Sequence, residues 1–236
     1  MDLGLTGRVA VVTAASKGLG RATAVALAAE GAMVVLNARN GSALDDLAAT
    51  MPHAIVEAGD ITGEAMPARL VDAALARWGR VDIVVGNAGG PPSGRALDVT
   101  DEQILAAVNA NALASIRLAR AAVPHMRQRQ WGRICFITSF SVRQPIPDLA
   151  LSNMSRTALW AWAKTAARDL AEDGITVNLA APGLHATDRL LERGVSGRTG
   201  DPEDFGKVVA FLCSEPASFI NGVALGIDGG AVSGLL

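Results

Sequence analysis

"RVAVVTAASKGLGRATAVALAAEG", residues 8–31, decides the fold. Its first six residues are an apolar run bounded by a turn, which reads as a buried strand. A turn containing Gly18 and Gly20 follows. An Ala-rich helix then runs over 20–31 and closes at Gly31. Strand, glycine turn and helix in this order make a phosphate site. The glycines let a pyrophosphate approach the backbone, and the helix points its free N–H groups and positive dipole end at it.

The alternation continues outward from this unit. Strands are predicted at 32–38, 53–60, 80–89, 132–139, 175–183 and 222–230. Helices are predicted at 42–51, 64–78, 101–129, 149–173 and 201–214, the last with Asp201 as N-cap and Pro202 at its first position. Strand and helix alternating end to end predict an α/β fold: one Rossmann-like, doubly wound domain over 1–236. Its seven-stranded sheet is mostly parallel, with helices on both faces. The chain has 236 residues, 50% of them hydrophobic and 19% charged, which suits a sheet buried on both sides.

Several function classes recede on composition. A formal net charge of −2 offers no basic surface for nucleic acid. No apolar run approaches the roughly 18–20 residues of a membrane span. No basic-plus-apolar leader follows Met1, so a cytoplasmic protein is expected. Cys135 and Cys213 are far apart in the sequence and read as reduced, buried thiols, without a disulfide or a metal site.

The second strand ends "LNARN". A carboxylate there would bond the ribose 2′-hydroxyl of NAD. Asn37 and Arg39 stand in its place, and Arg39 with Lys17 can flank a 2′-phosphate. NADP(H) is therefore favoured over NAD(H).

The motifs along the chain resemble those of the short-chain dehydrogenase/reductase family, in its 3-oxoacyl-carrier-protein-reductase-like branch. "TAASKGLG" (13–20) resembles the family's TGxxxGxG turn, with Ala14 where a Gly is usual. "GD" at 59–60 resembles the place where an Asp meets the adenine. "NAG" at 87–89 matches the family's Asn-Ala-Gly. "APG" at 181–183 followed by Thr187 resembles the loop that holds the nicotinamide carboxamide, and "GIDGG" at 226–230 the usual last strand and turn. The resemblance implies a cofactor site made by Thr13, Ser16, Lys17, Gly18, Leu19 and Gly20; by Asn37, Arg39, Asp60 and Ile61; by Asn87, Ala88 and Gly89; and by Arg156, Pro182, Gly183 and Thr187.

The family's chemistry uses an Asn, a Ser, a Tyr and a Lys. Asn111 matches the Asn, with Asn109 competing for that assignment, and Ser139 matches the Ser. The Tyr position falls at Ser152 and the Lys position at Arg156, one helical turn later. The chain contains no Tyr at all. An aliphatic hydroxyl is a far weaker acid than a phenol, and Arg does not give up its proton as Lys can. His185, in the loop after "APG", is the candidate replacement acid, against a plain reading as a solvent-exposed loop histidine. Asn153, Ser141, Arg143 and Asp148 are further candidates for the pocket wall. The stretch between Thr187 and the 201–214 helix is shorter than the helical lid usual in the family.

Three readings stay open. The first is an NADP(H)-dependent oxidoreductase on a small carbonyl or hydroxyl substrate with an unusual proton source. The second is a dinucleotide-binding fold doing non-redox chemistry. The third is a non-catalytic sensor. The resemblance also implies self-association as a dimer or tetramer through the 101–129 and 149–173 helices, where Trp160 and Trp162 offer aromatic area.

Overall fold

The computed structural model describes residues 1–187, 190 and 197–235. Seven strands form one sheet: β1 (Val9–Val12), β2 (Met33–Leu36), β3 (Ala54–Val56), β4 (Ile83–Gly86), β5 (Gly132–Ile137), β6 (Ile175–Pro182) and β7 (Ala224–Ile227). Their order is β3-β2-β1-β4-β5-β6-β7, and every neighbouring pair is parallel. The helices are α1 (Gly18–Ala29), α2 (Gly41–Ala48), α3 (Met66–Trp78), α4 (Asp101–Val108), α5 (Ala114–Gln128), α6 (Ala150–Asp169) and α7 (Pro202–Leu212). This is the doubly wound Rossmann-like fold, with a sheet parallel throughout rather than mostly so.

Side chains alternate across the sheet with period two, and each face carries its own core. Val9 and Val11 of β1 join a cluster with α3, α5 and α6. Ala10 and Val12 join the opposite cluster with α1, α2 and α7. α7 lies close on α1 because a Cβ at Gly206 would collide with the backbone of Ala22. Cys135 and Cys213 both belong to the second cluster and are free thiols. The Cys213 thiol is pushed well up by its hydrogen-bond contact with Cys135 and by complete burial.

The predicted 101–129 helix is interrupted. Thr100 and Gln103 cap α4 reciprocally, and a π turn over Asn109–Leu113 then separates α4 from α5. Hydrophobic periodicity is too coarse to register one inserted residue. Trp160 and Trp162 pack against the core as partly buried residues, with Trp162 and Phe136 ring centroids 6.2 Å apart. Much of the aromatic area expected at an interface is thus spent inside the subunit.

The end of the sheet away from the glycine turn is tied by charge. Asp82, fully buried, accepts from the Val9 N–H at 2.8 Å and from Arg80 Nε at 2.7 Å. Trp131 lies between the Arg8 and Arg133 guanidiniums, 3.7 and 4.3 Å from its ring, and donates Nε1–H to Glu215 at 2.7 Å. The opposite ends of the strands are left to loops.

Candidate active site

Because all strands run the same way, their C-terminal ends share one edge. β1 sits between β2 and β4, so the chain reverses its winding direction there and opens a crevice, the usual ligand position in such sheets. The loops after β1 and β4 are stitched together beside it. Thr13 Oγ1 donates to the Asn87 carbonyl at 2.7 Å and accepts the Asn87 N–H at 2.8 Å. Ala14 follows with φ +50°, a left-handed conformation that costs a residue with a Cβ and suits the Gly usual at this point in the resembling motif. Gly20 has no room for a side chain. A Cβ there would meet the Ala14 carbonyl and lie 2.9 Å from Asn87 Nδ2. Gly18, at φ +58°, faces Thr187, whose Cγ2 would stand 3.6 Å from a Cβ. The glycine turn and the loop after β6 therefore meet.

No side chain caps the N-terminus of α1, so its first-turn N–H groups stay free for an anion. Ser16 is half-buried and Lys17 exposed beside it, with Leu19 facing the interior. At the end of β2 the buried Asn37 spends its amide on Glu57 O at 2.8 Å and Gly59 O at 3.2 Å. It ties the loop after β3 in place, a role the strand pattern did not suggest. Arg39 stands exposed close by. The Asp60 carboxyl is held below the usual carboxylate range, chiefly because Thr62 donates both its backbone N–H and its hydroxyl. Burial opposes this and the Arg39 charge adds to it. Ile61 is half-buried next to it, and Ala88 and Gly89 continue the β4 exit with open space where a Gly89 side chain would be.

A cavity of about 210 Å³ lies between the ends of β5 and β6 and the start of α6. Its polar wall holds Ser139, Ser152, Arg156, His185 and Thr187, and Pro182 and Gly183 contribute backbone. Ser139 ends β5 and caps a short 3-10 turn, its Oγ accepting the Ser141 N–H at 3.1 Å. Ser152 lies in the first turn of α6, and Arg156 follows one turn on. Arg156 is 8% exposed, donating Nε–H to Ser152 Oγ at 3.2 Å and Nη1–H to the Ile137 and Thr138 carbonyls at 3.2 and 3.1 Å. The guanidinium thus caps the C-terminal end of β5 and orients Ser152.

His185 is 6% exposed, which overturns its reading as a solvent-exposed loop residue. Among the described residues, three neighbours pack on it. Its ring makes an edge contact with Phe205 at 5.1 Å between centroids, and Nδ1 lies 3.3 Å from the Gly183 carbonyl. It packs so closely on Gly200 that a Cβ there would lie 2.9 Å from the imidazole. Backbone bonds between Ala186 and Gly200 and between Gly200 and Leu184 pin the loop.

Not every predicted residue reaches the cavity. Asn111 lies within the π turn, 3% exposed. Its Nδ2 donates to Ala107 O at 3.2 Å, and its Oδ1 has no partner among the described residues. Ser141 is buried behind Ser139, while Arg143 and Asp148 face solvent. Asn153 grips the backbone of Ile146 instead of lining the wall. The apolar wall, made by Pro91, Phe140, Ile146, Leu149 and Leu184, was not read from the sequence. The one available signal was the apolar residues spaced between Ser139 and Ser152. Of the shortened stretch between Thr187 and the 201–214 helix, residues 188, 189 and 191–196 lie outside the described residues.

This is the crevice of a doubly wound, Rossmann-like α/β fold. Residues 13–232 match the family described as "Enoyl-(Acyl carrier protein) reductase". The chain is 35% identical to "Dehydrogenase/reductase SDR family member 4" of Homo sapiens, over 98% of this chain and 90% of that protein. It is 33% identical to the 3-oxoacyl-[acyl-carrier-protein] reductase of a Synechocystis strain, over 97% and 98%. The L-sorbose reductase of Gluconobacter frateurii, solved in complex with NADPH and L-sorbose, superposes with a TM-score of 0.95 at 30% identity, covering both chains completely. YwfH, an NADPH dependent reductase involved in bacilysin biosynthesis, superposes at 0.90 with 29% identity, over 97% and 99%. The chain belongs to the short-chain dehydrogenase/reductase family.

Proposed function

We propose that this protein is an NADP(H)-dependent oxidoreductase that interconverts a small carbonyl compound and its alcohol, with Ser152 and Arg156 in the places of the family's Tyr and Lys. The observation that carries the reading is the pair of serine hydroxyls opening on one cavity. Each accepts an N–H, Ser139 from Ser141 and Ser152 from Arg156, and among the described residues neither donates to any acceptor. Two unspent O–H groups facing one space suit one carbonyl oxygen with its two lone pairs.

The residues also fit the cofactor. Gly18 and Gly20 leave the turn bare, the α1 N-terminus is uncapped, and Arg39 with Lys17 supplies positive charge where an acid would favour NAD. The sorbose reductase and YwfH, both tied to NADPH, support the same choice. NADPH held there would supply the hydride. Ser139 and Ser152 hold the substrate oxygen and stabilise its growing negative charge. Arg156 fixes Ser152 and keeps a positive charge behind it at every ordinary pH. His185, on the same cavity wall, gives the oxygen its proton. Asn111 Oδ1, without a partner among the described residues, is the group this reading assigns to hold a relay water.

The reading extends to a cytoplasmic protein that self-associates through α4 to α6, where Leu105, Leu113 and Met154 are exposed. Among the described residues no helix is long and apolar enough to cross a membrane.

The test follows NADPH absorbance over a panel of small ketones and 3-oxo esters, with binding read by Trp fluorescence. Turnover of at least one compound is expected, with NADPH bound more tightly than NADH. The absence of any Tyr favours a second reading, a non-catalytic NADP(H)-binding protein, and tight NADPH binding with no turnover across the panel selects it.

A further inference from the structure

Residues 145–147 read Pro-Ile-Pro. Proline has no backbone N–H, so Ile146 carries the one main-chain donor in this stretch. The residue before a proline is also driven to extended conformations, so 144–147 forms no helix. Its internal bonds, the Gln144 N–H on Phe140 O at 3.2 Å and the Leu149 N–H on Ile146 O at 3.3 Å, leave the Ile146 N–H without a backbone partner among the described residues. Ile146 and Leu149 nevertheless form part of the apolar wall of the cavity, so this segment has to be held from outside.

The outside hold on Ile146 comes from one side chain, which also takes up its otherwise unpaired N–H. Asn153 Oδ1 accepts the Ile146 N–H at 3.3 Å, and Asn153 Nδ2 donates to the Ile146 carbonyl at 2.9 Å. Both backbone groups of Ile146 are gripped by one amide, as a neighbouring strand would grip them. Asn153 is itself rigid, because its own N–H bonds Leu149 O at 2.9 Å in the first turn of α6, next to Ser152. Besides the Leu149 N–H on the Ile146 carbonyl, the other ties of this loop flank Ile146: Asp148 O accepts the Gly94 N–H at 2.8 Å, and Gln144 Oε1 accepts the Ser233 N–H at 3.2 Å.

We infer that Asn153 is a positioning residue that fixes Ile146 as the wall limiting substrate size, and so links the α6 turn bearing Ser152 to substrate choice. The inference rests on the reading of the cavity as a carbonyl site. Neither the phosphate end nor the serine pair calls for this asparagine, and its two bonds go to no residue of the chemistry.

The test uses the whole protein in its NADP⁺ complex, where a ketone can bind but not be reduced. Hydrogen exchange of the peptide covering 143–149 is measured for wild type, Asn153→Ala and Asn153→Asp. Affinities for ethyl acetoacetate and the bulkier ethyl benzoylacetate are measured alongside. Ile146→Ala serves as the direct alteration of the wall. Asn153→Ala is expected to speed exchange in 143–149 and leave α1 and β1 unchanged. It should shift the affinity ratio toward the larger ester by about tenfold, in the range a pocket contact of this size commands. Ile146→Ala should shift the ratio the same way without needing the clamp broken. Asn153→Asp has the same shape but sets a carboxylate against the Ile146 carbonyl, and it should follow the alanine variant even where that variant folds poorly. Unchanged exchange in 143–149 overturns the clamp whether or not the protein is a reductase. Faster exchange with an unchanged affinity ratio overturns the link to substrate size, and so does the failure of both esters to bind a complex that holds NADP⁺ normally.

Discussion

Replacing Ser152 by Ala separates the proposed oxygen site from the cofactor site. The substitution removes one hydroxyl and adds no bulk. The lost hydroxyl has two tasks with different magnitudes. As the acceptor for Arg156 Nε at 3.2 Å it supports a buried charge, and losing a hydrogen bond to a charged group costs about 1.5–3 kcal/mol. Arg156 keeps the Ile137 and Thr138 carbonyls, so the lower end applies. For a chain of this length about 1.5 kcal/mol lowers Tm by roughly 3–6 °C, well within the stability of a folded domain. As donor to the substrate oxygen, Ser152 acts where charge develops, and losing one such donor costs about 10²–10³ in kcat. The expected result is a folded protein with unchanged NADPH affinity, a slightly lowered Tm and a kcat reduced by about two to three orders of magnitude. Ser139→Ala should behave similarly. The double variant should lose less than the product of the two, since residues that act as a unit are not additive. Steady-state rates, Trp fluorescence with NADPH and a thermal melt measure all three quantities. A Ser152→Ala enzyme with kcat within threefold of wild type refutes the two-hydroxyl site.

Arg39→Ala should weaken NADPH by about 10- to 100-fold, the worth of a charge-assisted hydrogen bond, and leave NADH nearly unchanged; fluorescence titration with both cofactors checks it. The Cys213 thiol, raised by its contact with Cys135 and by burial, binds its proton more tightly folded than unfolded. Stability from this site is therefore complete below the unfolded thiol pKa of about 8.5 and falls as pH rises above it. Native protein at pH 8 should leave both thiols unreactive to a disulfide reagent, and unfolding should expose both. Ser152→Tyr with Arg156→Lys restores the family's pair and should raise carbonyl reduction by about 10²–10⁴-fold if no other group already supplies the proton, with each single change doing less. A wild type that matches the double variant assigns the proton to another group, His185 first.

Much of the fold was legible because it rests on patterns that a single strand or helix carries by itself. β1, β2, β4 and β5 are short apolar runs, and burial on both faces makes such runs unambiguous when turns bound them. The glycine turn was legible for the same reason, since Gly20 answers a local collision with Ala14 and Asn87. What escaped depends on partners distant in sequence. Nothing within 101–129 announces the π turn, which adds one residue to a helix without changing its composition. Arg133 looks out of place in an apolar strand. It is fully buried because the Ser214, Gly132 and Gly174 carbonyls and the face of Trp131 receive it, and three of these four lie outside the strand's own periodicity.

The candidate site divides along the same line. Ser139, Ser152, Arg156 and Thr187 could be assigned by spacing along a resembling sequence, and the structure gathers all four at one cavity. Their environment could not be assigned that way. A histidine after "APG" reads as surface until Phe205 and Gly200, brought from beyond the β6 loop, close over it. Asn153 reads as one more polar residue near a pocket until its amide is found on Ile146. Arg156 is the decisive case. From the sequence it is a Lys replaced by a residue that cannot relay a proton, which looks like loss. In the fold it is a buried cation anchored to two strand-end carbonyls, with its Nε turned to a serine hydroxyl that donates to no acceptor among the described residues. Burying a cation at 8% exposure is costly unless hydrogen bonds receive it, and carbonyls receive Arg156 here as others receive Arg133. The carbonyls that receive Arg156 lie where β5 ends at the cavity, so the cost is met at the place where a fixed positive charge can act on a substrate oxygen.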